Sequence, residues 1–232
     1  MLEVSGIHTY YGASHVLHGV GLDVRGGELV ALLGRNGSGK TTTLMTLAGV
    51  LRARSGSVTV DGVDVSGLPS YQRLKHGLTL VPSGARVFAD LTVDENLRVV
   101  RGRSTDGGDR WTTDQVYEFF PKLGDLRNRN AGNLSGGERQ MLAVGRSLMA
   151  NPKVMLLDEP SEGLAPVMVR AVGELLDQLV GVGLAVVLAE QNHRFALRHA
   201  DRAFLIEKGE IKHEAPAADL PGSVALQRYL GV

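Results

Sequence analysis

The 232-residue sequence contains no cysteine, which excludes disulfides, thiolate nucleophiles and any cysteine-ligated zinc or iron–sulfur site. It also lacks net charge: 25 Lys and Arg offset 25 Asp and Glu. No chain-wide positive field draws it to nucleic acid, and no nucleic-acid partner is expected. No uninterrupted apolar run reaches the roughly 18 residues that a membrane-spanning helix needs. The opening residues, MLEVSGIHTYYG, lack the basic and then apolar pattern of an export leader. The expectation is an intracellular chain that meets a membrane only through a partner. Aromatic residues are scarce at 5%, while 43% apolar and 22% charged side chains match a globular protein. One domain with a small inserted lobe fits the length.

Glycine is plentiful, with 30 residues placed at the ends of short apolar runs, as turns require. Residues 16–24 (VLHGVGLDV) alternate in polarity, and 57–60, Asp61-Gly62 and 63–65 read as a hairpin, so antiparallel sheet is expected near the N-terminus. Continuous apolar runs at 28–33, 78–81, 154–157, 184–189 and 203–206 predict strands buried on both faces. Helix-period segments at 41–50 and 167–180 would cover a mainly parallel sheet. From about 88 to 150 the signals are helical: Thr92 with Glu95, Thr112 with Gln115 and Ser135 with Glu138 have capping-box spacing. Residues 101–110 read as an exposed loop. The expected fold is a single α/β domain, 1–232. Its nucleotide-binding core, at about 1–87 and 151–232, carries an antiparallel β subdomain, and a helical subdomain is inserted at about 88–150.

Directly after the run ELVALL stand Gly34, Arg35, Asn36, Gly37, Ser38, Gly39, Lys40 and Thr41, followed by Thr42 and a helical pattern. Gly-x4-Gly-Lys-Thr between strand and helix is the context of a phosphate loop. Its glycines let backbone N–H groups turn toward phosphate oxygens, Lys40 reaches the β and γ phosphates, and the Thr41 hydroxyl ligates magnesium. An ordinary glycine-rich turn would need neither the lysine nor the threonine. Asp158-Glu159-Pro160 follows the run VMLL. Alone it reads as a solvated turn; with a phosphate loop upstream, Asp158 would hold the metal and Glu159 would activate water. Ser135, Gly136, Gly137 and Glu138 open a third element. Two glycines behind an N-cap leave helix N–H groups open to an anion, although a plain N-cap that tolerates glycine has the same pattern.

In this order and spacing, the phosphate loop, LSGGERQ and VMLLDEP resemble the nucleotide-binding subunit of ATP-binding-cassette (ABC) transporters. LSGGERQ is the specific part. The similarity continues through YYGASHVLHGV, LTVDENL and AEQNHRFALRHADRAFLIEKGEI, and is greatest with LivF-type subunits of branched-chain amino acid importers. The resemblance implies an ATPase that uses ATP and Mg2+ at the cytoplasmic face of the membrane. Its implied partners are a second ABC ATPase subunit, either a copy or a LivG-like chain, transmembrane permease subunits and, indirectly, an extracytoplasmic substrate-binding protein. Each ATP would lie between the phosphate loop of one subunit and Ser135–Glu138 of the other. Tyr11 is the position whose aromatic ring stacks on adenine in the family, or else it is a packed loop residue beside Tyr10.

Three positions depart from the wider pattern. Ser83 stands where most ABC ATPases have glutamine and LivF-type members usually have glutamate; it either meets magnesium through water or only connects the two lobes. Gln191 stands at the switch-histidine position, as in LivF-type proteins, and would donate to the γ phosphate without taking a proton; His193 reads as a surface histidine. Ala165 stands where many relatives have aspartate. As the resemblance implies, the surface near Ser83–Leu97, where the lobes join, would receive a short permease helix, with Phe88 and Leu91 as apolar contacts or as core residues. Two rivals come from other classes. Soluble ABC proteins acting on DNA or the ribosome carry a second cassette, helical arms or basic extensions that this sequence lacks. A regulator with little hydrolysis would not need Glu159. A urea or short-chain amide importer is the nearest alternative of the same class.

Overall fold

A computed structural model describes residues 1–100 and 111–231; the loop expected at 101–110 lies outside the described residues. In chain order the strands are β1 (Leu2–Tyr11), β2 (Ser14–Val24), β3 (Leu29–Leu33), β4 (Ala53–Val60), β5 (Val63–Asp64), β6 (Leu78–Val81), β7 (Val154–Asp158), β8 (Ala185–Glu190), β9 (Arg202–Glu207) and β10 (Glu210–Pro216). The helices are α1 (Lys40–Leu47), α2 (Ser70–Lys75), α3 (Val93–Arg98), α4 (Thr113–Phe119), α5 (Pro121–Asp125), α6 (Gly136–Leu148), α7 (Pro166–Gly181), α8 (His193–His199) and α9 (Val224–Leu230). The strands form a four-stranded antiparallel sheet, β2-β1-β4-β5, and a six-stranded sheet, β10-β9-β3-β8-β7-β6, parallel except at its β10 edge.

The continuous apolar runs became strands because both faces of the large sheet are covered. Along β3, Leu29, Ala31 and Leu33 pack into one core with α6 and α7, while Val30 and Leu32 pack into the other with α1 and the small sheet. Every residue of β3 and β7 is buried. The hairpin expected around Asp61-Gly62 forms, with Val60 paired to Val63 and both turn residues at positive φ, 48° and 76°, as the right-handed strand twist favours.

All three capping boxes form, at Thr92, Thr112 and Ser135. Between 88 and 150 the described residues hold α3 to α6, with only an isolated bridge from Thr92 to Asn130 as β pairing. Arg73 is fully buried and donates to the carbonyls of Thr46, Leu47, Ser66 and Leu68. Two of these end α1, so the arginine satisfies carbonyls that the helix itself leaves open and anchors the element whose other end follows the phosphate loop.

Candidate nucleotide site

The phosphate loop leaves β3 and turns at once into α1, and its glycines are required for different reasons. A Cβ on Gly34 would lie 2.2 Å from Ser38 Oγ and 2.6 Å from the Ile206 carbonyl oxygen. Gly37 and Gly39 take φ of 77° and 113°, a region side chains rarely enter. Gly39 also packs on Gly209, whose N–H donates to the Ser38 carbonyl at 2.8 Å. The turn between β9 and β10 thus rests on the loop. Lys40 is buried, and its ammonium donates to the carbonyls of Gly34 at 2.9 Å and Arg35 at 3.3 Å. Ser38 Oγ is buried without a hydrogen-bond partner.

The end of β7 delivers the acids to this loop. Thr41 Oγ1 donates to Asp158 Oδ1 at 3.1 Å, and Lys40 Nζ lies 3.0 Å from Glu159 Oε1. Burial pushes the Asp158 carboxyl above its usual range, against the pull of the Thr41 hydroxyl. Glu159 has φ of 47°, an uncommon conformation for a residue with a side chain, so the strand direction breaks sharply at the acid. Lys40, Thr41, Asp158 and Glu159 therefore meet as one group.

These residues fit a magnesium triphosphate. A buried orphan hydroxyl calls for a partner, and one ammonium faces only carbonyls and a single carboxylate. Magnesium is commonly held by one or two protein oxygens together with phosphates and water, which a Thr41–Asp158 pair supplies. No cluster of three or more His, Cys, Asp or Glu side chains suited to a metal occurs among the described residues.

The other expected positions lie around this centre. Tyr11 ends β1 and is 47% exposed, whereas Tyr10 is the packed ring, stacked on His15 at 4.1 Å with Arg54 over it. Asn36 is exposed, and Thr42 is half-buried with its carbonyl accepting from Thr46. Gln191 is exposed beyond β8, and His193 opens α8 half-buried. Ser83 is half-buried in the turn after β6. Its neighbour Pro82 lines a cleft against α6, while Gly84 and Ala85 line a cavity shared with Gly136 and Glu159.

At the start of α6, Ser135 Oγ accepts from Glu138 N–H at 3.3 Å and Glu138 Oε2 accepts from Ser135 N–H at 2.8 Å; Lys122 pairs with Glu138 at 3.2 Å. Among the described residues, the Ser135 side chain bonds to Glu138 and not to the phosphate loop. Gly137 has a reason inside the chain: a Cβ there would strike the Met168 terminal methyl at 1.8 Å. Anion access alone does not explain that glycine.

A profile of the ABC transporter family matches residues 17–162. The chain belongs to the ABC transporter family. Across its whole length this cassette is 46% identical to the high-affinity branched-chain amino acid transport ATP-binding protein BraG of Pseudomonas aeruginosa, covering 100% of both chains. Archaeoglobus fulgidus has a probable branched-chain amino acid transport ATP-binding protein, LivF, that is 34% identical, over 95% of this chain and 94% of that one. The lipopolysaccharide export system ATP-binding protein LptB of Escherichia coli is also 34% identical, over 99% and 97%. Among solved structures, an ABC transporter cassette in its ADP conformation superposes with a TM-score of 0.85 at 26% identity, covering 100% of this chain and 97% of the other.

Sequence reasoning passed over three polar residues that shape the cassette. Asn96 is fully buried and bonds to the backbone of Phe88, Leu91 and Thr92. Arg146 reaches the Arg86 carbonyl and stacks over Phe88. Glu190 ends β8 almost fully buried. No local motif marks any of the three, and only the packing reveals their partners.

Proposed function

We propose that this cassette binds and hydrolyses MgATP to energise a branched-chain amino acid importer. The observation that carries the ATPase reading is the meeting of Lys40, Thr41, Asp158 and Glu159 where β3 and β7 end. Gly34, Asn36, Gly37, Ser38, Gly39 and Thr42 complete the phosphate cradle, and the exposed Tyr11 ring stacks on adenine. Thr41, and Asp158 through water, would hold magnesium, which would supply positive charge to the triphosphate. Lys40 exchanges Glu159 for phosphate oxygens, which frees the Glu159 carboxylate to take a proton from the attacking water. Gln191 donates to the γ phosphate and orients it.

Two cassettes close on ATP, with Ser135, Gly136, Gly137 and Glu138 of one facing the triphosphate held by the other. The partner is a second copy or a related chain. The γ phosphate couples chemistry to motion because it touches both subunits only when they are closed, and a ligand shifts a conformational equilibrium only through such differential contact. At the cytoplasmic face of the membrane, a permease helix enters the cleft between β6 and α6, lined by Leu74, Leu80, Pro82, Val100 and Arg146. Phe88, 48% exposed beneath the Arg146 guanidinium, is better placed to contact it than the half-buried Leu91. Ser83, between that cleft and the Glu159 cavity, serves as the connector.

The substrate class rests on BraG, since LivF and the lipopolysaccharide exporter LptB are equally distant from this chain. Phosphate release and substrate uptake by the complex, reconstituted in vesicles, test the whole reading. Glu159→Gln should keep ATP binding, lower hydrolysis by about 100-fold or more and accumulate closed pairs. Full hydrolysis in that variant removes Glu159 from its role, and uptake of other solutes without branched-chain amino acids removes the substrate.

A further inference from the structure

The carboxylate that ends β8 has no part in the chemistry above. Glu190 is 2% exposed, and no cation pairs with it among the described residues. Its two oxygens are divided between two turns: Oε1 accepts the Ser161 N–H at 3.1 Å, and Oε2 accepts the Asn192 N–H at 3.3 Å. Ser161 stands two residues after Glu159, and Pro160 between them has no N–H to offer. Asn192 follows Gln191 directly, and its own side chain caps α8 by accepting from Phe195 N–H at 3.2 Å.

One residue earlier on the same strand, the Ala189 carbonyl accepts the Glu159 N–H at 2.9 Å. Two consecutive residues of β8 therefore hold the Glu159 turn at both ends. That turn needs holding, because a side chain at the positive φ of Glu159 persists only where the surroundings over-determine it. Glu159, Glu190 and Gln191 line a single cavity with Ser161, Glu162 and Asn192. A neutral side chain would fill the Glu190 position without the penalty of burying charge, but the carboxylate gives each N–H an acceptor oxygen of its own.

We propose that Glu190 is a positioning residue for ATP hydrolysis: it sets the spacing between the turn that aims Glu159 at water and the turn that aims Gln191 at the γ phosphate. This rests on the assignment of Glu159 as the water-activating residue. Glu190 acts through the two backbone N–H groups it holds, at Ser161 and Asn192. Its influence therefore belongs to turnover and not to ATP affinity, which the phosphate loop and Tyr11 supply.

Glu190→Gln tests this in the full chain, because the amide turns one acceptor into a donor facing an N–H. The expected result is a fall in kcat of about tenfold or more with KM for ATP within about twofold and a cooperative thermal transition retained. Combined with Gln191→Ala, the loss should be smaller than the product of the two single losses, because both act on one turn. Wild-type turnover in a folded Glu190→Gln protein overturns the proposal, as do losses that multiply fully. Should that variant fail to fold, Glu190→Asp keeps two acceptor oxygens on a shorter arm; reduced kcat at unchanged KM supports the proposal, and wild-type kcat overturns it. Hydrolysis that survives Glu159→Gln rejects the underlying assignment, whereas hydrolysis that survives only Glu190→Gln rejects this inference alone.

Discussion

Gly34 and Gly37 are three positions apart in one loop, yet they answer to different forces. At Gly34 a methyl would meet both a hydroxyl and a carbonyl oxygen of β9; the hydroxyl can rotate and the carbonyl cannot. Gly34→Ala should cost about 1–3 kcal/mol and weaken ATP binding. At Gly37 nothing lies within 4 Å and only the positive φ resists substitution, so Gly37→Ala should cost about 1 kcal/mol. Thermal denaturation and nucleotide titration of the two variants would check the order; a loss at Gly34 no larger than that at Gly37 would remove the collision from the explanation. The pattern of glycines was legible in the sequence because the phosphate loop is local. The reason for Gly137 was not, since Met168 arrives from a helix 31 positions later (168 − 137). Glu190 was hidden in the same way: after an apolar run it looks like a solvated strand end until the Glu159 turn closes over it.

Capping boxes were legible for the same reason as the phosphate loop, being written within four residues. Ser135→Ala removes one such cap and should cost about 1 kcal/mol, lowering the melting temperature by about 2–4 °C. Because Ser135 makes no bond to the phosphate loop among the described residues, ATP binding by a single chain should be unchanged while pairing in the Glu159→Gln background weakens; a weaker single-chain affinity would contradict this. In contrast, β10 went unread, because EIKHEAP is a polar edge strand without a continuous apolar run.

The β1–β2 pair carries a further consequence at the scale of elements. His8 Nδ1 and His15 Nε2 are 3.0 Å apart, and the His15 and His18 rings are 3.9 Å apart. Desolvation first, and then His18, hold the His15 imidazole below its usual range, against a backbone bond at Leu17. With the folded value below the unfolded one, the unfolded chain binds more protons in between. Stability therefore rises with pH through that window and is lost as pH falls below about 6.5. Melting curves between pH 5.5 and 7.5 should show a steeper decline in the parent chain than in His15→Gln; parallel curves would remove the histidines from the explanation.

Binding is a property of the whole chain, because the site draws on β3, α1, β7 and the β9–β10 turn together. MgATP that binds only the folded form should stabilise it by about 2.7 kcal/mol at a hundredfold excess over Kd, raising the melting temperature by about 5–10 °C. Calorimetry with Lys40→Ala as control would measure this, and an equal rise in that variant would place the nucleotide elsewhere.

The recognisable ABC segment, 17–162, contains the phosphate loop, Asp158 and Glu159, but it stops short of the support beneath them. Strand β3 is flanked by β8 and β9, and Gly209 lies against the loop that β3 launches. A transplant limited to the recognisable segment would strip both neighbours from that central strand and the floor from its loop. The smallest portable ATP grip extends past Gly209, well beyond the last residue of the recognisable segment.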